Sequence, residues 1–151
     1  AKPVEAAFRR LHLYDGGVYD NLGLEPFFDV GRQRPKHDGG FIICSDAGAP
    51  LVNGFRHGPL SVFRLKRVAD IMSDQSRSLR VRAFAHYLQQ TPSGGAYLYI
   101  NTPISAPEKC TSAQFAASFP TTLRRLDIEE FDRIAAHGQA VAKQALVTSV
   151  C

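Results

Sequence analysis

One stretch of the chain combines the residue types and spacing that could do chemistry: Leu11-His12-Leu13-Tyr14-Asp15-Gly16-Gly17-Val18-Tyr19-Asp20-Asn21. Leu11 and Leu13 alternate with polar neighbours, the pattern of a half-buried strand. The strand ends on a carboxylate and turns through two glycines, which accept positive φ and let a substrate or another backbone come close. In open α/β sheets, ligands bind beyond the carboxyl ends of the strands. Asp15 therefore stands where such a fold does its chemistry. Asp-Gly is also a common turn dipeptide, and spacing alone leaves both readings open.

No other constellation competes. The five histidines, His12, His37, His57, His86 and His137, show no metal spacing, and no Cys-x-x-Cys occurs. A phosphate-cradling Gly-x-x-x-x-Gly-Lys loop is absent. No metal and no cofactor are expected. Ser45 follows an apolar run as a nucleophile might, but Ile43 and Ala47 occupy the positions where a strand-to-helix elbow needs glycine. This weighs against a catalytic Ser45. Asp46 reads as a turn or capping residue, and His137 as structural.

The longer run Asp15-Gly16-Gly17-Val18-Tyr19-Asp20-Asn21-Leu22-Gly23-Leu24-Glu25-Pro26 resembles the second catalytic block of the patatin-like phospholipases, lipid acyl hydrolases with a Ser–Asp dyad. The resemblance continues in Ser45-Asp46-Ala47-Gly48-Ala49-Pro50, in Asp74-Gln75-Ser76-Arg77-Ser78-Leu79-Arg80, in Phe119-Pro120-Thr121-Thr122-Leu123 and in Ala136-His137-Gly138. It implies an α/β fold, a central, mostly parallel sheet flanked by helices, with Asp15 as the dyad carboxylate and Gly16, Gly17 and Asn21 as its active-site loop. The family's nucleophile lies in a Gly-x-Ser-x-Gly elbow upstream of this block. No such elbow occurs in the chain. The expectation is the C-terminal part of a single patatin-like domain over residues 1–151, whose partner is an N-terminal half bearing the serine. A catalytically inactive, hydrolase-derived module that binds a partner or a lipid surface is the alternative.

Composition agrees with a globular protein. Hydrophobic residues make up 44% and charged residues 21% of the 151, which excludes a disordered chain. Lys and Arg number 18 against 14 Asp and Glu. The basic residues gather at Arg64, Lys66, Arg67, Arg77, Arg80 and Arg82. They read as a solvated helix face, with contact to an anionic membrane surface as the sharper alternative. Nothing signals nucleic-acid binding. No apolar run approaches the ~18 residues of a membrane span. A cytoplasmic or peripheral-membrane location is expected. The odd count of cysteines, Cys44, Cys110 and Cys151, points to free thiols.

The elements that must position the block follow from periodicity. Asp20 or Asn21 is expected to cap a short helix through Leu22, Leu24, Phe27 and Phe28. Asp38-Gly39-Gly40 precedes the apolar strand Phe41–Cys44 and reads as a turn at its amino edge. Leu51–Pro59 reads as loop. A long helix runs from Ser61 to about Tyr87 with Val62, Leu65, Val68, Ala69, Met72, Leu79, Ala83 and Phe84 as its apolar stripe, and a break is expected in its polar stretch Ser73–Ser78. Thr91–Gly95 is a turn, Ala96–Ile100 a strand, Asn101–Ser112 a loop holding Cys110, and Ala113–Ser118 a short helix. Asp127, with Glu130 three residues on, caps a last helix. Its stripe is Ile128, Phe131, Ile134, Ala135, Val141, Ala142 and Ala145, and Gly138 implies close packing. A sheet edge without a partner strand is also expected.

Overall fold

The structure is a computed structural model that describes residues 15–51, 58, 61–104, 110–120 and 122–150. The strand expected over residues 11–14 and most of the 51–59 loop lie outside the described residues. After a short helix α1 (Gly17–Asp20) comes an antiparallel hairpin, β1 (Phe28–Asp29) with β2 (Arg34–Pro35). Strand β3 (Ile42–Asp46), helix α2 (Phe63–Gln90) and strand β4 (Gly95–Tyr99) form a strand–helix–strand unit, and β3 and β4 pair in parallel, Cys44 beside Tyr97. Helices α3 (Cys110–Ser118) and α4 (Ile128–Val150) follow. The chain is thus a mixed α/β protein built on one parallel strand pair. Among the described residues β3 pairs with β4 alone.

Alternation along the strands sets the two faces of the pair. Cys44 and Asp46 are buried, whereas Ile43 and Ser45, which alternate with them, are exposed. Cys44 meets Phe84 of α2, with Leu24 and Phe28 from the hairpin region, and Tyr87, Leu88 and Tyr97 pack around them. Phe28 meets Phe84 edge-on at 5.3 Å. Helix α4 lies against β4, where Ala96 and Val141 are both buried. The two strands approach closely at their start: a Cβ on Gly95 would lie 2.3 Å from the Ile42 carbonyl oxygen.

Several expectations are corrected. The short helix lies before Asn21, not after it. Asp20 accepts the N–H groups of Leu22 (3.2 Å) and Glu25 (2.7 Å), so its side chain diverts the donors a continuing helix would use. Gly23, at φ +64°, then turns the chain out. Strand β3 runs on through Ser45 and Asp46 because Asp46 finds buried partners. Helix α2 does not break over Ser73–Ser78: Asp74 and Ser76 bond Arg77 and Arg80 one turn on. Of the expected α2 stripe only Ala83 and Phe84 are buried, and Leu65, Val68, Met72 and Leu79 are exposed. Cys110 opens α3 instead of lying in a loop. In α4, Ile128 and Phe131 are exposed, and the face that packs carries His137 and Val141. A Cβ on Gly138 would meet nothing within 4 Å, so close packing does not explain that glycine.

Other expectations hold. Asp38 and Gly39 form the turn ahead of β3, with Gly39 at φ +74°. Helix α4 starts in a full capping box: the Glu130 N–H donates to Asp127 Oδ1 (2.8 Å) and the Asp127 N–H to Glu130 Oε2 (3.2 Å).

Cys44 is a free, buried thiol. Burial, helped by the Asp46 and Asp20 carboxylates, pushes its pKa from the usual 9.0 up to about 11. Folding thus favours the protonated thiol. The stability this contributes is complete below pH 9 and is lost as pH climbs through 11. A thermal midpoint that falls over this window, and falls less in Cys44→Ala, is the expected result. Equal slopes in the two proteins would contradict it.

Candidate functional site

Asp15 is held by its own turn. Its Oδ1 accepts the Gly17 N–H at 2.7 Å, the Asx geometry that suits an Asp two residues before a donor. The carboxylate is exposed. Gly17 leaves room for these side chains: a Cβ would lie 2.8 Å from Asn21 Oδ1 and 3.2 Å from Asp15 Oδ1, and both side-chain ends would have to shift. Asp15, Gly17 and Asn21 lie close together, and Gly16 opens α1 beside them with open space around it.

Asp20 fixes this turn to the long helix. Besides accepting from Leu22 and Glu25, its Oδ1 lies 3.6 Å from Arg80 Nε, with both side chains largely buried. The Arg80 guanidinium stands 5.4 Å from the centre of the Tyr19 ring, within cation–π range. The geometry of the Asp15 turn thus depends on a residue about sixty positions away in sequence, one that the spacing of the block gives no hint of.

A second arginine of α2 grips the end of β3. Asp46 is 3% exposed. Its Oδ2 lies 2.6 Å from Arg77 Nη1 and accepts the Tyr97 hydroxyl at 2.6 Å, and its Oδ1 accepts the Gly48 N–H at 2.9 Å. Asp74 holds the other side of Arg77 at 3.3 Å. Burial pushes the Tyr97 phenol well above its ordinary range, and its bond to Asp46 adds to this. Burial alone would lower the Arg77 pKa, and the Asp46 charge, with Tyr99 and Asp74, more than reverses it. A Cβ on Gly48 would come 2.9 Å from Asp46 Oδ1 and 3.1 Å from Arg77 Nη1. The turn or capping role expected of Asp46 is a small part of what it does. Every polar partner is satisfied and charge-assisted, the signature of a structural anchor.

A cleft of about 370 Å³ opens between these anchors, lined by Asn21, Gly48, Pro50, Arg67, Ser73 and Arg77 among others. Asn21 is the member of the Asp15 block that reaches it. Asp15 lines none of the described cavities. The largest, about 830 Å³, lies at the opposite end of β3, walled by Arg32, Arg34, Lys36 and His37 together with Asp29 and Asp38. Its charges are mixed, and no residue of the Asp15 block lines it. Ser45 and His137 share a cavity of about 190 Å³, but both His137 nitrogens are engaged. Nε2 donates to the Ile100 carbonyl at 2.6 Å, which leaves Nδ1 to accept from Ser112 Oγ at 3.3 Å. His137 thereby ties α4 to the end of β4 and to α3.

Among the described residues no group of three or more His, Cys, Asp or Glu could hold a metal ion, and no helix is long and apolar enough to cross a membrane. No family model, curated protein or solved structure matches this chain.

Proposed function

We propose that this chain supplies the carboxylate of a Ser–Asp dyad in a patatin-like lipid acyl hydrolase, and that the serine comes from a segment outside these residues. The fold that goes with this reading is an α/β sandwich in which β3, α2 and β4 are one repeat of a larger, mostly parallel sheet. The observation that carries the reading is the Asp15 turn. A carboxylate is held by one N–H on Oδ1, beside glycines that present no side chain to an approaching backbone.

The chemistry follows from the surroundings. A serine hydroxyl needs a base to take its proton as it attacks an ester carbonyl. The segment that brings the serine would also cover Asp15 and set its carboxylate against the hydroxyl. Asp15 would take the serine proton as the hydroxyl attacks and pass it to the departing alcohol as the acyl-enzyme forms; it would then take a proton from the attacking water and return it to the serine oxygen as the carboxylic acid leaves. Asn21 and the cleft behind it would lie beside the reacting ester.

One observation favours the second reading, an inactive binding module derived from such a hydrolase: Asp15 is exposed and lines no described cavity. Complementation separates the two. The chain alone should hydrolyse no nitrophenyl ester and take up no fluorophosphonate on serine. Adding a polypeptide with the Gly-x-Ser-x-Gly elbow should restore turnover, and Asp15→Ala should then lower kcat at least about a hundredfold. Unchanged turnover in Asp15→Ala, or serine labelling of the chain alone, would overturn the dyad.

A further inference from the structure

Arg67 stands apart from its neighbours on α2. From Val62 to Ala69 every other residue is exposed, whereas Arg67 is half-buried. It lines the cleft of about 370 Å³ between α2 and the turn after β3, and it has no ion pair or hydrogen bond among the described residues. A guanidinium carries five N–H donors in a fixed fork and no acceptor. Drawn partly from water, it loses hydration that nothing in the described fold replaces.

Every other charge in the cleft is paired. Both Asp70 oxygens accept from Lys66 Nζ, at 2.9 and 3.2 Å. Asp74 holds Arg77 at 3.3 Å, and Arg77 holds Asp46 at 2.6 Å. Asn21 and Ser73 line the same cleft, and neither side chain is bonded among the described residues. The groups left open are therefore a cation, a carboxamide and a hydroxyl. Their common complement is an oxyanion whose two oxygens match the guanidinium fork. Asp70 and Asp74 in the same wall limit its charge, because they repel a second negative charge at close range. We infer that the cleft is a binding subsite for a singly charged oxyanion, with Arg67 as the recognising cation and Asn21 and Ser73 as further donors. A phosphodiester and a carboxylate share this chemistry. The inference rests on the dyad reading for its purpose. The Asn21 and Asp15 side-chain oxygens both lie within 3.2 Å of the place a Gly17 Cβ would take. The subsite thus begins beside the Asp15 turn and would hold the charged end of a substrate whose ester lies there.

The test reads binding on the full chain without turnover, from amide shifts in two-dimensional NMR as dimethyl phosphate or acetate is titrated in. Saturable shifts centred on Asn21, Gly48 and Ser73 are expected, and the tighter of the two anions tells a phosphodiester from a carboxylate. Sulfate, doubly charged, should bind more weakly than the tighter one. Arg67→Gln should weaken that binding about tenfold or more, as loss of a charge-assisted pair does. Arg67→Lys keeps the charge without the fork and should fall between. Arg82→Gln removes the same charge at an exposed position outside the cleft, and should change affinity less than about twofold. Arg67→Gln should keep the wild-type melting temperature, because no bond is lost. No saturable shift with either anion, sulfate bound as tightly as the better one, or equal losses in Arg67→Gln and Arg82→Gln would overturn the inference. The two readings fail separately. Anion binding by a chain that no elbow-bearing polypeptide activates removes the hydrolase and leaves the subsite. Complemented turnover without anion binding does the reverse.

Discussion

Arg77→Ala is expected to lower the stability of the chain to urea by about 3–5 kcal/mol, the usual effect of removing one partner from a buried ion pair. The side chains of Asp46 and Arg77 are 2% and 16% exposed, 2.6 Å apart. Without the guanidinium, the Asp46 charge keeps only the Tyr97 hydroxyl and the Gly48 N–H, and water reaches it poorly. The same substitution cuts the tie between the middle of α2 and the carboxyl end of β3. The double variant Arg77→Ala with Asp46→Asn removes the stranded charge too, and should recover part of the loss. Lys66→Ala serves as the control. Its bridge to Asp70 is exposed on both sides, so the cost should stay within about 1 kcal/mol. An Arg77→Ala loss as small as that of Lys66→Ala would show that Asp46 is better solvated than its burial implies.

The same residues show what a sequence can and cannot disclose. Local signals were legible. The Asp127–Glu130 box is a three-residue relation, and it forms as read. The apolar run before Ser45 and the tyrosine-rich run before Asn101 are strands, and the Asp38 turn precedes β3. The anchors of the site were not legible, because they join distant positions: Asp46 meets residues 31 and 51 positions away. Arg77 and Arg80 looked like ordinary polar-face residues, since a helix-surface arginine and an arginine under a strand end share one spacing. Periodicity also reported an amphipathic α2 without saying which part of its stripe would find a partner. It is Ala83 and Phe84 that meet the core, while the residues from Val62 to Met72 meet solvent. The Asp15 turn sits between these cases. Its Asx bond and the room that Gly17 leaves follow from local chemistry, whereas its attachment to Arg80 does not.

That division of α2 makes a second large prediction. Phe84→Ala should cost about 3–5 kcal/mol, as truncation of a fully buried aromatic does, whereas Leu65→Ala in the same helix and the same predicted stripe should stay within about 0.5 kcal/mol. Phe84 is 0% exposed, edge-on to Phe28 at 5.3 Å and stacked on Tyr87 at 6.1 Å. It is where α2, the hairpin and Cys44 of β3 meet, so its loss leaves a cavity bordered by three elements that cannot all close on it. The effect should reach the candidate site as well. Arg80, one turn earlier, holds Asp20 and with it the Asp15 turn, and a shift of α2 toward the cavity would draw that contact away. Amide exchange of Leu22 and Glu25, whose N–H groups rest on Asp20, reads this directly. Faster exchange in Phe84→Ala under native conditions is the expected result. Unchanged exchange beside a large loss of stability would mean that the Asp15 turn is secured by the Asp20 side chain alone, independently of the core beneath it.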